Sequence, residues 1–488
     1  MNDLFMTRDA SQAVLSSDHI DSQYCSSLKA VEMAASAANL SAYNLSMPGG
    51  IYTDGPYELP WNTYNYCSAP RVSREHYALP EASAQAELKH LIYIQRHEKR
   101  TPDNLVPGKE NEFNPPAGWD CTDIEYTNYA TGTRAASLAQ AAQIDPRTST
   151  PPWHPFLQRI WNGTCDSGTL TAGGLVNAFE HGQDWIGVYG PGGPAELVDA
   201  VSEETVRVRT SPEPRTFQVS GAFLKGAGYL ENKHFPVEIQ PSNIDSIVPS
   251  YSCAYANDLR AKIEEEESWQ NHLGKISGTF DAVNEVLGTA KETGWNSWID
   301  HAFDFLASRQ CHGHPLPTNP HTGASIDQKT ADNVYAAGDF EYNYIWNASP
   351  LSDDYVRYSF GAFILELVRN LSLIRDGKNA HKANLYIGHD GTMVRLLKSL
   401  AQSGTIRWPA LGSEVIFEIW EKQTTIESDA APKQYVRILA YGQVLTSEAK
   451  LLTGREGPAL AEWTPIDDVI TYLQDRIPSD LVARCNGS

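Results

Sequence analysis

Residues 90–102 constrain this chain most: His90-Leu91-Ile92-Tyr93-Ile94-Gln95, then Arg96-His97-Glu98-Lys99-Arg100-Thr101-Pro102. Leu91 to Ile94 is apolar, β-branched and aromatic, long enough for a buried strand and too short for a helix. Five charged or titratable residues follow at once, then a proline that stops regular structure. A buried strand ending this way presents two guanidinium forks and one imidazole at its carboxyl end. Guanidinium groups stay charged and grip phosphate bidentately. Ligand crevices of α/β sheets lie outside the carboxyl ends of strands, where helix N-termini also favour anions. Taken alone, the stretch also reads as a charge cluster closing a strand, with His97 merely solvated.

A second stretch tips the balance towards chemistry. Asn384-Leu385-Tyr386-Ile387-Gly388 is again a short apolar strand, followed by His389-Asp390 and a helical pattern through Met393, Leu396, Leu397 and Leu400. Two strand ends thus carry catalytic-type groups in the same relative place. A strand over 205–210 leads to a helix over 213–224 that carries Arg215, and Gly168-x-Leu170-Thr171-x-x-Gly174 opens a helix over 171–189 with Thr171 as N-cap.

Strand-Arg-His-x-x-Arg-x-Pro early and strand-Gly-His-Asp late, with these two intervening segments in order, resembles the histidine acid phosphatases, the second branch of the histidine phosphatase superfamily. The aromatic run at 60–66 and the loops at 103–160 are similar to the fungal acid phosphatase and phosphoxylose phosphatase subgroups. The resemblance implies an α/β fold: a Rossmann-like, mostly parallel central sheet flanked by helices, with a mainly helical cap. It implies a metal-independent phosphomonoesterase with no cofactor. His97 would be the nucleophile that becomes phosphohistidine and Asp390 the proton donor, while Arg96, Arg100, Arg215 and His389 would bind the phosphate. One departure stands out. The family usually has glycine after the nucleophilic histidine, and this chain has Glu98, which either repels substrate or turns away into a salt bridge. The first outcome would favour a weak or inactive pseudo-enzyme that binds phosphorylated ligands. A mutase shares the histidine chemistry, but the His-Asp pair and the long insertion resemble the phosphatase branch. No Gly-x-Ser-x-Gly, His-Glu-x-x-His or P-loop is present to support another hydrolase class.

At 488 residues the chain exceeds one core of usual size. The expected organisation is an N-terminal arm over 1–50, an α/β core from 51–229 and 351–488, and a mainly helical cap over 230–350. A formal charge of −22 argues against nucleic acid or an anionic membrane as partner, and makes a local arginine cluster the means of capturing a phosphate ester. No window is apolar enough to span a membrane, and no signal peptide is visible at the N-terminus. The seven cysteines show no zinc-ligand spacing. The family is mostly secreted or lumenal, which implies two or three disulfides with one thiol over; seven reduced, buried cysteines are the alternative. Six Asn-x-Ser/Thr sequons support secretion weakly, and Asn370, in an apolar helical pattern, is a poor acceptor.

Along the chain, helices are expected near 26–39, over Asn257–Leu273, Val283–Ser308 and Asp353–Leu373, and over 465–475. Glu414–Trp420 and Tyr435–Val444 read as an antiparallel pair. The aromatic run at 60–66 is expected to be buried rather than to bind ligand. His312-Gly313-His314 hints at metal, but no accompanying spacing supports it, and a surface loop is expected. The substrate class expected is a small, singly phosphorylated organic ester, because residues 230–350 are not basic enough for a polyanion pocket.

Overall fold

The computed structural model describes residues 61–109, 112–115, 118–119, 121, 153, 155, 165–229, 235–423 and 434–487. The arm at 1–50, with its helix near 26–39, Cys25 and two of the sequons, lies outside these residues, as do Asn162 and most of the loops at 103–160.

The strands are β1 (Ala86–Arg96), β2 (Val206–Thr210), β3 (Val237–Glu238), β4 (Ala383–Gly388), β5 (Glu414–Lys422), β6 (Gln434–Ala440), β7 (Gln443–Val444), β8 (Thr446–Ser447), β9 (Ala459–Leu460) and β10 (Thr464–Pro465). The central sheet runs β10-β6-β5-β1-β4-β2-β3, with β7 on β6; β8 and β9 form a small separate pair. Parallel pairing joins β1, β4, β2 and β3. The expected antiparallel pair, β5 and β6, extends the sheet from β1, but Tyr435–Val444 is not one strand: β6 ends at Ala440 and the chain turns at Tyr441 and Gly442 (φ 53° and 74°) back into β7.

The helices are α1 (Ala172–Tyr189), α2 (Pro214–Gly226), α3 (Ala254–Glu265), α4 (Glu267–Leu287), α5 (Gly294–Ser297), α6 (Asp300–Cys311), α7 (Gln328–Asn343), α8 (Ser352–Arg375), α9 (Asp390–Ser399), α10 (Lys450–Thr453), α11 (Ile466–Asp475) and α12 (Leu481–Cys485). They cover both faces of the sheet, which the two-residue period of β1 makes legible. Leu91 and Tyr93 join a core with Trp185, Val188 and Phe223 of α1 and α2. Ile92 and Ile94 face a larger core containing Phe360, Phe363 and Leu367 of α8, Met393 and Leu397 of α9, and the helices between Ala254 and Asn343. Alternate side chains of a strand point to opposite faces, so a strand covered on both sides reads as an unbroken apolar run.

Three helical expectations change. Asn257–Leu273 is not one helix: the chain breaks at Glu266 (φ −61°, ψ 142°), whose carboxylate takes the Ser349 hydroxyl at 2.9 Å and the Tyr344 hydroxyl. Val283–Ser308 is not one helix either. Gly288 adopts the left-handed conformation (φ 73°) that ends α4, and the rest of the range holds the short α5 and then α6 from Asp300. Helix α7 was not expected. Asp327 caps it, accepting from the Thr330 N–H at 2.8 Å. Three disulfides join Cys67 to Cys311, Cys121 to Cys165 and Cys253 to Cys485.

Candidate active site

Register brings the two motifs together. In the β1–β4 pair Arg96 stands opposite Gly388, so the next residues, His97 and His389, leave the sheet side by side. The His97 N–H donates to the Gly388 carbonyl at 2.9 Å, and the two imidazole centroids lie 5.4 Å apart at 68°. On the other side of β4, β2 ends at Thr210, and the Ser211 hydroxyl meets His389 Nε2 at 2.8 Å.

His97 is 1% exposed, and its Nδ1 lies 2.8 Å from the Glu98 carbonyl oxygen. A carbonyl only accepts, so Nδ1 carries the proton and the Nε2 lone pair is left for chemistry. Burial holds the imidazole well below its ordinary pKa, and the guanidinium groups of Arg215, Arg96 and Arg100 push it the same way. His389 is lowered to about 3 by burial and by Arg215, against the pull of Asp390. Both rings are therefore neutral in mildly acidic water.

The three arginines come from different elements. Arg96, at the end of β1, places Nη2 2.9 Å from Asp390 Oδ2 and 3.2 Å from the Tyr66 hydroxyl. Its Nη1 donates to the Pro409 carbonyl. Arg100 is held by Asp304 of α6 at 2.9 Å and by Asp103 at 2.8 Å. Arg215, in the first turn of α2, donates to the Gly168 carbonyl at 3.3 Å and lies 3.5 Å from Glu213 and 3.7 Å from Asp103. The Nε–H groups of all three are buried without a hydrogen-bond partner among the described residues.

Asp390 opens α9 at the favourable end of the helix dipole. Its Oδ2 also takes the Trp408 indole N–H at 3.0 Å. Burial raises its pKa, but Arg96, Trp408 and Arg100 outweigh it and bring the carboxyl down to about 2. Glu98 turns away from this cluster and is 2% exposed, with its carboxylate 3.0 Å from His181 Nδ1 and 3.0 Å from Gln95 Nε2.

All six residues expected at the site, Arg96, His97, Arg100, Arg215, His389 and Asp390, are thus brought to one end of the parallel strands. Sequence reasoning missed Asp304, Trp408 and Ser211. Only Asp304 carried a local signal, a carboxylate between Phe303 and Phe305 in an apolar helix. Tyr64 and Tyr66 are buried as expected, 1% and 3% exposed, although Tyr66 also touches Arg96. His312 and His314 pack edge-on against Trp119, and His312 Nε2 meets the Thr171 hydroxyl at 2.7 Å. His312 and His314 are thus partly enclosed by packing.

Among curated proteins, the lysosomal acid phosphatase of Homo sapiens is 22% identical over 307 residues, covering 58% of this chain and 68% of the relative. The Rattus norvegicus protein of that name is 22% identical over 351 residues, covering 68% and 75%. Among solved structures, the phytase of Citrobacter braakii superposes with a TM-score of 0.50 at 13% identity, over 81% of this chain and 99% of that one. That likeness concerns the fold. The likeness to the fungal and phosphoxylose phosphatase subgroups stays a resemblance. A model of the histidine phosphatase superfamily (branch 2) matches residues 87–440, from the first residues of β1 to the end of β6, and the chain belongs to that branch, a family of phosphomonoester hydrolases.

Proposed function

We propose that this protein hydrolyses small, singly phosphorylated organic esters through a phosphohistidine on His97, without a metal. The observation that carries the reading is the tethered His97 ring. Its Nδ1–H is occupied by a main-chain carbonyl, and three guanidinium groups surround the imidazole. Nε2 attacks phosphorus in line, the ester P–O bond breaks, and the leaving oxygen takes a proton from Asp390. Water then attacks the P–N bond, giving its proton to Asp390 and freeing inorganic phosphate and the His97 ring. Arg96, Arg100, Arg215 and His389 hold the equatorial oxygens, where charge develops.

Asp390 is ionised in the free protein above about pH 2, so its proton has to be supplied. Phosphomonoesters carry one extra proton below about pH 6. Binding that monoanion on Arg96 and Arg100 weakens their hold on Asp390, and the proton passes to the carboxylate and on to the leaving oxygen. A single phosphate is favoured because the carboxylates of Asp103, Asp304 and Glu213 stand beside Arg100 and Arg215 and offset their charge. We read residues 230–350 as the substrate-facing cap; the reach of Asp304 from α6 to Arg100 supports this. Three disulfides and lysosomal relatives are compatible with a secretory-pathway or extracellular setting.

The test is phosphate release from p-nitrophenyl phosphate at mildly acidic pH in the presence of chelator. Turnover should survive the chelator, trap as an acid-labile phosphoenzyme, and fall at least about 10³-fold in His97→Ala. Phytate should be the poorer substrate. A native protein that binds inorganic phosphate without turnover would establish the pseudo-enzyme instead.

A further inference from the structure

Glu98 occupies the position next to the candidate nucleophile, yet its carboxylate faces the interior. It belongs to a buried chain: Glu98 Oε1 to His181 Nδ1 at 3.0 Å, then His181 Nε2 to Glu414 Oε2 at 3.1 Å. His181 (α1) and Glu414 (first residue of β5) are both 0% exposed. Glu414 also takes the Tyr93 hydroxyl at 2.5 Å and the Val72 N–H at 2.7 Å, so the far end of the chain is fixed to β1 and to the segment before it. Burial works against a charge on His181, but its hydrogen bonds to Glu414 and Glu98 outweigh burial and raise its pKa. The unit is an imidazole held between two acidic side chains that favour its protonation, with Arg71 acting against that charge.

The protein is shaped around that carboxylate. A Cβ on Gly412 would fall 2.7 Å from Glu98 Oε1, and the Gly412 N–H donates to the His97 carbonyl at 3.2 Å. The other end of the same residue does the work: the Glu98 carbonyl receives the His97 Nδ1–H at 2.8 Å. That acceptor selects the tautomer in which Nε2 is unprotonated. A peptide free to rotate would let the proton exchange between the nitrogens and take the attacking lone pair away.

We propose that Glu98 is a positioning residue: anchored by His181 and Glu414, it fixes the carbonyl that sets the tautomer and aim of His97. This rests on His97 being the nucleophile, as read above. It makes the glutamate, in place of the family's usual glycine, a support for the site and not an obstacle to substrate.

The experiment compares the native chain with Glu98→Gln and Glu98→Gly, using p-nitrophenyl phosphate turnover, inorganic phosphate inhibition and the ¹⁵N resonances of His97. The expected result is a kcat about tenfold lower in Glu98→Gln and lower still in Glu98→Gly. Phosphate inhibition should stay within about twofold, because the arginines are untouched. The His97 resonances should report Nδ1–H in the native chain and a tautomer mixture in Glu98→Gly. Should Glu98→Gly fail to fold, Glu98→Gln keeps the side-chain size and carries the test. The proposal is overturned if kcat and the tautomer are unchanged, or if phosphate binding weakens in step with kcat, which would mean general disorder of the pocket. If the native chain does not turn over, the reading of His97 as nucleophile fails, while the resonances still decide whether Glu98 sets the tautomer.

Discussion

Asp390 Oδ2 receives two donors, Arg96 Nη2 at 2.9 Å and Trp408 Nε1 at 3.0 Å, and the second was invisible in the sequence. Trp408 is held flat between Phe303 and Tyr342, with both ring centroids 3.9 Å away, so the indole N–H is aimed by stacking rather than by its own torsions. A hydrogen bond to a charged group is worth roughly 1.5–3 kcal/mol. Trp408→Phe keeps the stack and deletes the donor, so the proton affinity of Asp390 should rise about tenfold from its low starting point. Titration of the Asp390 carboxyl by NMR in the free protein checks this. A midpoint that stays near 2 would mean that the neighbouring cations, Arg96 first, hold the carboxylate without help from the indole.

Helix α1 meets the segment that follows β1 at its first turn. Thr171 caps the helix by accepting the Gly174 N–H at 3.2 Å, and its own N–H donates to the Lys99 carbonyl at 3.2 Å. A Cβ on Gly174 would lie 2.0 Å from that carbonyl, whereas one on Gly173 meets nothing closer than 3.9 Å. Gly174→Ala must therefore displace Lys99 and with it Arg100. It should lose about 1–3 kcal/mol of stability and about tenfold in kcat/KM, while Gly173→Ala stays near native on both. Unfolding curves and steady-state kinetics of the pair decide it, and equal behaviour would remove the argument. The same elements show what a sequence can disclose. β1, β4 and α1 were legible because an apolar run, a cap and a spaced glycine are local signals. The break at Glu266 was not, because it sits in a run of four glutamates that favours a helix, and the carboxylate that ends it is held by Ser349, far along the chain. Nor was α7, whose buried side includes Gly338 and Glu341 as well as Val334 and Tyr335; Glu341 is satisfied by distant groups, His272 at 2.9 Å and the Ile299 N–H at 2.8 Å. The site followed the same rule. Residues inside the charged motifs at the ends of β1 and β4 were readable, whereas Asp304 from α6 and Trp408 from the segment before β5 were not, and neither was Ser211, a lone hydroxyl after β2.

At the scale of the molecule, a chain of net charge −22 concentrates arginines where two parallel strands end, and the histidines among them respond to pH in opposite senses. His181, with its raised pKa, binds a proton more tightly folded than unfolded. Its contribution is complete below the unfolded histidine value near 6.5 and is lost as pH rises through the folded one. His97 and His389 do the reverse. The unfolded chain protonates them below about 6.5 while the folded chain keeps them neutral, so acid favours unfolding. Asp390 joins them only at the end, since its contribution is present above about 3.9 and is lost as pH falls through about 2. These opposed terms flatten the stability of the native protein in weak acid, and a variant can separate them. His389→Asn removes one neutral histidine and its penalty, so its stability relative to the native chain should improve by up to about 1.4 kcal/mol per pH unit below pH 6.5. Loss of the contact with the Ser211 hydroxyl shifts the whole curve by a constant and leaves that slope intact. Denaturant unfolding of both proteins between pH 7.5 and 4.5 measures the slope. Parallel curves would show that His389 titrates like an ordinary histidine, and the electrostatic account of the arginine cluster would fall with it.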